Sequence, residues 1–245
     1  MMSRTLARLR AARRLARRLI KVVQTPAYPS AIGAELHRPW IQQYGIRTVV
    51  DVGANEGQFA RLARAALPTS QIFSFEPLPE CFAKLQAQFG GDRHFEAFPF
   101  ALGASPAELT IYRSAYSPSS SLLRMGATHR RAFPHTTDVD EVRVHVETLD
   151  AVLGGCPLDG HVLLKLDVQG FEAAVLQGAR ETLQRVSLVL VELSLEPLYE
   201  GEPLFDDVYR QLTSAGFTLR GVVDMLRQPS DGRPLQVDAL FEVRR

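Results

Sequence analysis

One stretch of this chain leaves few folds open: Thr48-Val-Val-Asp51-Val-Gly53-Ala-Asn55-Glu-Gly57-Gln58, followed by Phe73-Ser-Phe-Glu76-Pro77. The apolar run before Gly53 reads as a buried parallel strand. The glycines then turn the chain into a helix, and a second strand ends in a carboxylate. Glycine permits positive φ and, lacking Cβ, lets the backbone pass close to a ligand. A carboxylate at the end of the second strand of a βαβ unit is where a ribose diol is held. The turn is G-x-x-x-G rather than G-x-G-x-x-G, so the tight pyrophosphate cradle of a dinucleotide site is missing. That spacing suits a nucleoside cofactor without a pyrophosphate, and S-adenosyl-L-methionine is such a cofactor.

Strand and helix patterns alternate through the rest of the chain. Helices are expected over residues 31–45, 58–66, 79–89, 171–183 and 205–215. Strands are expected over 47–52, 71–75, 94–101, 162–166, 186–193, 217–223 and 237–243. Two further β-rich runs, 109–113 and 142–148, flank a long connection containing Ser117-Pro-Ser-Ser-Ser121, His129 and His135. Connections of that length inside a compact domain are usually functional, and residues 114–141 are expected to form a cap over the substrate side. The pattern predicts an α/β fold with one doubly wound, mostly parallel sheet, in a single domain over residues 31–245.

Charge is unevenly spread. Residues 1–34 carry eight Lys and Arg and no acid; residues 35–245 hold the other 20 bases against all 27 acids, a net −7. The head, residues 1–30, is rich in Ala, Leu and Arg, with apolar residues recurring at helical spacing over 1–23. A basic amphipathic helix of this kind suits peripheral contact with an anionic membrane; docking on the body and a transit peptide are the alternatives. The acidic body argues against a nucleic-acid groove. With only Cys81 and Cys156, and no C-x-x-C pair, neither a disulfide framework nor a zinc site is expected. The chain is expected to be cytoplasmic, peripheral at the inner membrane face if the head binds there.

Asp51-Val-Gly-Ala-Asn-Glu-Gly-Gln58, Phe75-Glu-Pro77, Ala101-Leu-Gly103, Thr148-Leu-Asp150, Leu164-Lys-Leu-Asp-Val-Gln-Gly-Phe-Glu172 and Val175-Leu-Gln-Gly-Ala179 together resemble the FkbM family of S-adenosylmethionine-dependent methyltransferases, in order and in spacing, over residues 45–243. The resemblance implies the class I methyltransferase fold, a Rossmann-like sheet of about seven strands with the last antiparallel. It also implies O-methylation of a hydroxyl on a sugar, glycoconjugate or natural product.

On the cofactor side the candidates are Asp51, Gly53, Ala54, Asn55, Gly57 and Gln58 at the first turn, Glu76 and Pro77 for the ribose, Ala101 and Leu102 beside the adenine, and Ser121, one of a serine pair with relatives' counterparts, for the cofactor carboxylate. The turn's backbone is expected to face the amino-acid part of the cofactor. A helix-capping acid before Pro77 and Pro79 is the plainer alternative for Glu76.

Asp167, at the end of the fourth strand, is the leading catalytic candidate. It is placed to orient the acceptor hydroxyl, take its proton or help hold a metal. Lys165 shares a strand face with it, and a lysine in an apolar run is costly unless paired, so a carboxylate partner is expected. Glu192 ends the fifth strand, either completing a paired-carboxylate site with Asp167 or pairing with a surface arginine. Glu172 opens a helix, where the helix dipole favours an acid. Among the histidines, His135 in the cap is the one with a proton-transfer role to test. The rival readings are a non-catalytic S-adenosylmethionine-binding partner protein, an N-methyltransferase, and a nicotinamide-dependent oxidoreductase. The missing third glycine counts against the last.

Overall fold

The structure, a computed structural model, describes residues 28–244. The basic helix expected over residues 1–23, with its membrane contact, lies outside the described residues. No described helix is long and apolar enough to cross a membrane.

Seven strands form the main sheet: β1 (Ile46–Val52), β2 (Gln71–Phe75), β3 (Phe95–Phe98), β7 (His161–Leu166), β8 (Val186–Ser194), β9 (Phe217–Arg227) and β10 (Pro234–Val243). Their order is β3-β2-β1-β7-β8-β10-β9. All pairs are parallel except those of β10, which runs antiparallel between β8 and β9. The last strand is thus the antiparallel one, and a seven-stranded sheet with that feature is what the resemblance implies. The order reverses between β1 and β7, so a crevice opens there at the carboxyl ends of the strands. Three short strands, β4 (Ala101–Leu102), β5 (Ala107–Ser114) and β6 (Val139–Glu147), make a second sheet ordered β4-β6-β5.

Strand alternation sorts the core into two layers. Val50, Val52, Leu164, Leu166, Val189, Val191 and Phe241 pack on one face of the sheet. Val49, Leu163, Leu188, Leu190 and Leu240 pack on the other. At the carboxyl edge of that second face the side chains change character: Asp51, Lys165, Glu192 and Asp238 continue the same i, i+2 rows, all at most 9% exposed. The apolar pattern of the strands thereby places a line of charge at one edge of the sheet.

Three expected elements are broken, each for a backbone reason. The helix expected over 31–45 is two, Tyr28–Leu36 and Pro39–Tyr44, because Pro39 forces Arg38 out of the helical region. The strand expected over 94–101 is split at Pro99. Proline has no N–H to continue the ladder, and the chain crosses from β3 in the main sheet to β4 in the small one. The helix expected over 171–183 is two, Glu172–Gln177 and Arg180–Leu183, with a break at Gly178.

Residues 114–141 form two 3₁₀ turns and the helix Ala127–Ala132. The segment is tied to the chain after β8 by a Met125–Tyr199 bridge and by the Gly126 N–H, which donates to Leu198 O at 2.6 Å.

Candidate active site

At the switch point lies a cavity of about 1050 Å³, at the upper end of the range for small-molecule sites and roomy enough for a cofactor with an acceptor beside it. Gly53, Ala54, Asn55, Gln58, Glu76, Pro77, Ala101, Leu102, Ser121, Lys165, Asp167 and Glu192 all line it. Twelve candidates far apart in sequence are therefore brought to one cavity, which Tyr116, His129, Phe133 and His135 of the 114–141 segment also line.

Asp51 and Gly57 do not line the cavity. Asp51 is wholly buried behind Lys165. Gly57, at φ +85°, has the side chains of Leu85 and Phe89 2.9 Å from where a Cβ would stand, so its glycine serves helix packing. Gly53, at φ +79°, would drive a Cβ into the Asp167 carbonyl, so it lets β1 and β7 meet. Four of the turn's amides are taken up within the protein. Gly53 N and Ala54 N both donate to Phe75 O, at 3.1 and 3.0 Å, Asn55 N donates to Glu76, and Gly57 N donates to Ala54 O at 2.8 Å. A strand–turn–helix needs those bonds to hold its own backbone.

Glu76 accepts one backbone hydrogen bond per oxygen: Leu78 N on Oε1 and Asn55 N on Oε2, both at 2.8 Å. Burial lifts its pKa to about 7 against the pull of those two amides. An ionised carboxylate has about four lone-pair sites, so two remain for a diol. With Phe75, Leu78, Ala101 and Leu102 as apolar cavity walls, the residues present fit an adenosyl group.

Lys165 Nζ lies 3.3 Å from Asp167 Oδ2 and 3.4 Å from Asp51 Oδ1, and donates to Gly53 O at 3.2 Å. The carboxylate partner expected for it is present twice. Burial works against the ammonium, but Asp167 and Asp51 outweigh it and hold its pKa above the usual lysine value. One ammonium cannot fully serve both acids. Asp51, wholly buried, has its pKa raised by burial, with Lys165 and Ser74 opposing.

Gln169 is the hub that the motif reading passed over. Its Nε2 donates to Asp167 Oδ1 at 2.9 Å and to Glu192 Oε2 at 2.7 Å, and its Oε1 accepts from Tyr199 Oη at 2.7 Å. It sits at φ +53°, a conformation a non-glycine residue adopts only when its surroundings hold it there. Ser121 Oγ donates to Gln169 O at 2.6 Å and accepts from Leu123 N at 2.9 Å, so it braces this loop. Glu172 Oε1 accepts from Val168 N at 2.9 Å and Gly170 N at 3.3 Å, closing the loop from below.

Glu192 is bonded to no arginine among the described residues. It takes the amides of Gln169 and, at 3.1 Å, Gln236, and burial with the charges of Asp167 and Asp238 raises its pKa well above the usual value. Asp238 and Asp224, absent from the sequence candidates, stand in register with it across β8, β10 and β9. The signal for Asp238 was in the sequence: an acid inside the apolar run Leu235–Phe241, as anomalous as Lys165 in its own strand. Of the histidines, His129 is neutral, its pKa lowered to about 4 by burial. His145 pairs with Glu108 and Glu147 on the surface.

A family profile described as methyltransferase FkbM domain matches residues 51–219. The chain belongs to this family. The chain is 28% identical over 160 residues to the 2-O-methyltransferase NoeI of Sinorhizobium fredii, a match covering 63% of this chain and 66% of NoeI. It is also 28% identical over 174 residues to the AMB antimetabolite synthetase AmbE of Pseudomonas aeruginosa, covering 59% of this chain and 8% of AmbE. The chain therefore spans just under two thirds of one relative and a small part of the other. A putative S-adenosylmethionine-dependent methyltransferase from Listeria monocytogenes superposes with a TM-score of 0.48 at 9% identity, covering 88% of this chain and 99% of that one. Magnesium protoporphyrin IX methyltransferase from Synechocystis superposes at 0.45 and 10%, covering 89% and 78%. At that distance neither bears on the chemistry, and the FkbM fold assignment rests on the strand order above.

One consequence of the buried acids is measurable without any ligand. Burial, opposed by the Val168 and Gly170 amides and reinforced by Asp167, raises the Glu172 pKa from 4.5 to about 7. A carboxyl whose folded pKa is raised stabilises fully below its unfolded pKa, and that stability is lost as pH rises to the folded value. Glu172→Gln keeps an acceptor oxygen for the two amides but cannot ionise. Its thermal midpoint is expected to fall less than the wild-type midpoint between about pH 5 and about pH 8, and to exceed it at the higher pH. Parallel curves from scanning calorimetry would refute this.

Proposed function

We propose that this protein transfers a methyl group from S-adenosyl-L-methionine to a hydroxyl of a sugar, glycoconjugate or small natural product. The observation that carries this reading is Glu76: a buried carboxylate with two unused acceptor sites, facing a cavity at the switch point beside an apolar shelf. Membership of the FkbM domain family supports methyl transfer, and the 2-O-methyltransferase activity in the name of NoeI supports a hydroxyl acceptor.

In this reading Glu76 and Pro77 hold the ribose, with Ala101 and Leu102 beneath the adenine. Once bound, the cofactor supplies a methyl group on a positively charged sulfur. The chain's own contribution is position: methyl transfer is in-line, and fixing both partners in near-attack geometry lowers the barrier most. The Lys165–Asp167 pair, Gln169 and Glu192 form the rigid floor on which the acceptor is oriented. The excess of carboxylates around one ammonium favours a cationic donor over its neutral thioether product.

Calorimetric titration with S-adenosylhomocysteine beside NAD tests the cofactor. Micromolar binding of the first and none of the second is expected. Binding of NAD, or of neither, would overturn the reading. Transfer of a labelled methyl group to a panel of methyl glycosides then tests the acceptor class.

A further inference from the structure

Resting on the methyltransferase reading, we infer that Asp238, on the last strand, is the group that accepts the proton of the acceptor hydroxyl. The argument is one of which carboxylate is free. Asp167 has one oxygen on Lys165 and the other on the Gln169 amide, so taking a proton there would break a buried ion pair. Glu192 already serves the amides of Gln169 and Gln236. Glu172 is closed on its own loop, and Glu76 on the first turn.

Asp238 differs from all of these. It is 7% exposed, it lines the cavity, and no described residue donates a hydrogen bond to its carboxylate or ion-pairs with it. A buried carboxylate left without donors is costly, and it is retained where the cavity's occupant supplies the partner. The charged groups facing it are Lys165 and Asp167 from the end of β7, Glu192 from β8 and Asp224 from β9. Burial and the surrounding acids, opposed by Lys165, lift its pKa to about 7, where a general base is most effective.

The step balances in charge as well as in atoms. The acceptor O–H bond breaks and its proton passes to Asp238. The oxygen forms its bond to the methyl carbon of the sulfonium donor, and the S–CH₃ electron pair stays on sulfur. One positive and one negative charge vanish together, so no new charge is created in a poorly solvated site. Sheet register supports the assignment: Asp238 stands directly opposite Glu192 on β8, the strand beside the one that ends at Asp167.

The test uses full-length protein carrying ¹³C-labelled aspartate carboxyls, titrated with S-adenosylhomocysteine bound. One resonance titrating near neutrality is expected; it should vanish in Asp238→Asn and persist in Asp224→Asn. On the methyl glycoside that wild type turns over fastest, Asp238→Asn should lose roughly 100-fold or more in kcat at unchanged KM for the methyl donor. No neutral titration lost in Asp238→Asn, or equal turnover of the two proteins, overturns the inference. Failure of wild type to bind S-adenosylhomocysteine overturns instead the reading on which it rests.

Discussion

Lys165→Met is expected to destabilise the fold by about 3–5 kcal/mol near pH 8, the cost of removing one partner from a buried ion pair. That is a large part of the roughly 5–15 kcal/mol that holds a domain together. Methionine matches the aliphatic stem of lysine, so little packing is lost, and the Phe59 ring 5.7 Å from the ammonium would still be covered. The damage is electrostatic. Asp51 is wholly buried, and among the described residues Lys165 is the cation beside it, 3.4 Å away. Without Lys165 the pKa of Asp51, already raised by burial, rises further. Stability from a raised carboxyl is lost as pH climbs through its folded pKa, so the variant should recover much of the loss when urea denaturation is repeated near pH 5. An equal deficit at both values would mean that the lysine stem, rather than its charge, supports the sheet edge.

Glu76→Ala is expected to weaken S-adenosylhomocysteine binding by roughly 100-fold or more. Hydrogen bonds to a charged acceptor contribute about 1.5–3 kcal/mol each, and two ribose hydroxyls would lose theirs together. The substitution also strips the acceptor from Asn55 N and Leu78 N, so the first turn would loosen. Glu76→Gln keeps the volume and one acceptor oxygen, so one of the two backbone bonds survives while the new NH2 opposes the other amide. Intermediate affinity for Gln, with a melting curve between those of Ala and wild type, supports direct ribose contact. Native affinity in both variants, measured by calorimetry, would reassign Glu76 to a purely structural cap.

The sheet was legible because its central strands are buried on both faces and read as continuous apolar runs, and because the turns between them carry glycine and proline. Proline also marks where the expectations went wrong. At Pro39 the ring forces Arg38 out of the helical region, and at Pro99 a missing N–H ends the ladder; hydrophobicity alone would continue both elements. The motif residues divided in a way that spacing could not show. Glu76, Lys165, Asp167 and Glu192 reach the cavity. Asp150 caps a helix through the N–H groups of Glu181 and Thr182, and Gly57 makes room for Leu85 and Phe89. A pattern records which residues are required, whether by a ligand or by a neighbouring helix.

The sequence by itself determined the alternation of strand and helix, the carboxyl edge where a ligand site forms, and the anomalous lysine that demanded an acid. Those are properties of periodicity and of the cost of burying charge, both of which are local. Only the tertiary structure decided that Gln169 ties Asp167 to Glu192, that residues of the 114–141 segment line the cavity, and that Asp238 stands beside Glu192 without a donor among the described residues. The last strand enters the sheet antiparallel, between two earlier ones, and its register is set by cross-strand pairing over 44 residues of intervening chain, a distance at which no sequence pattern carries the information.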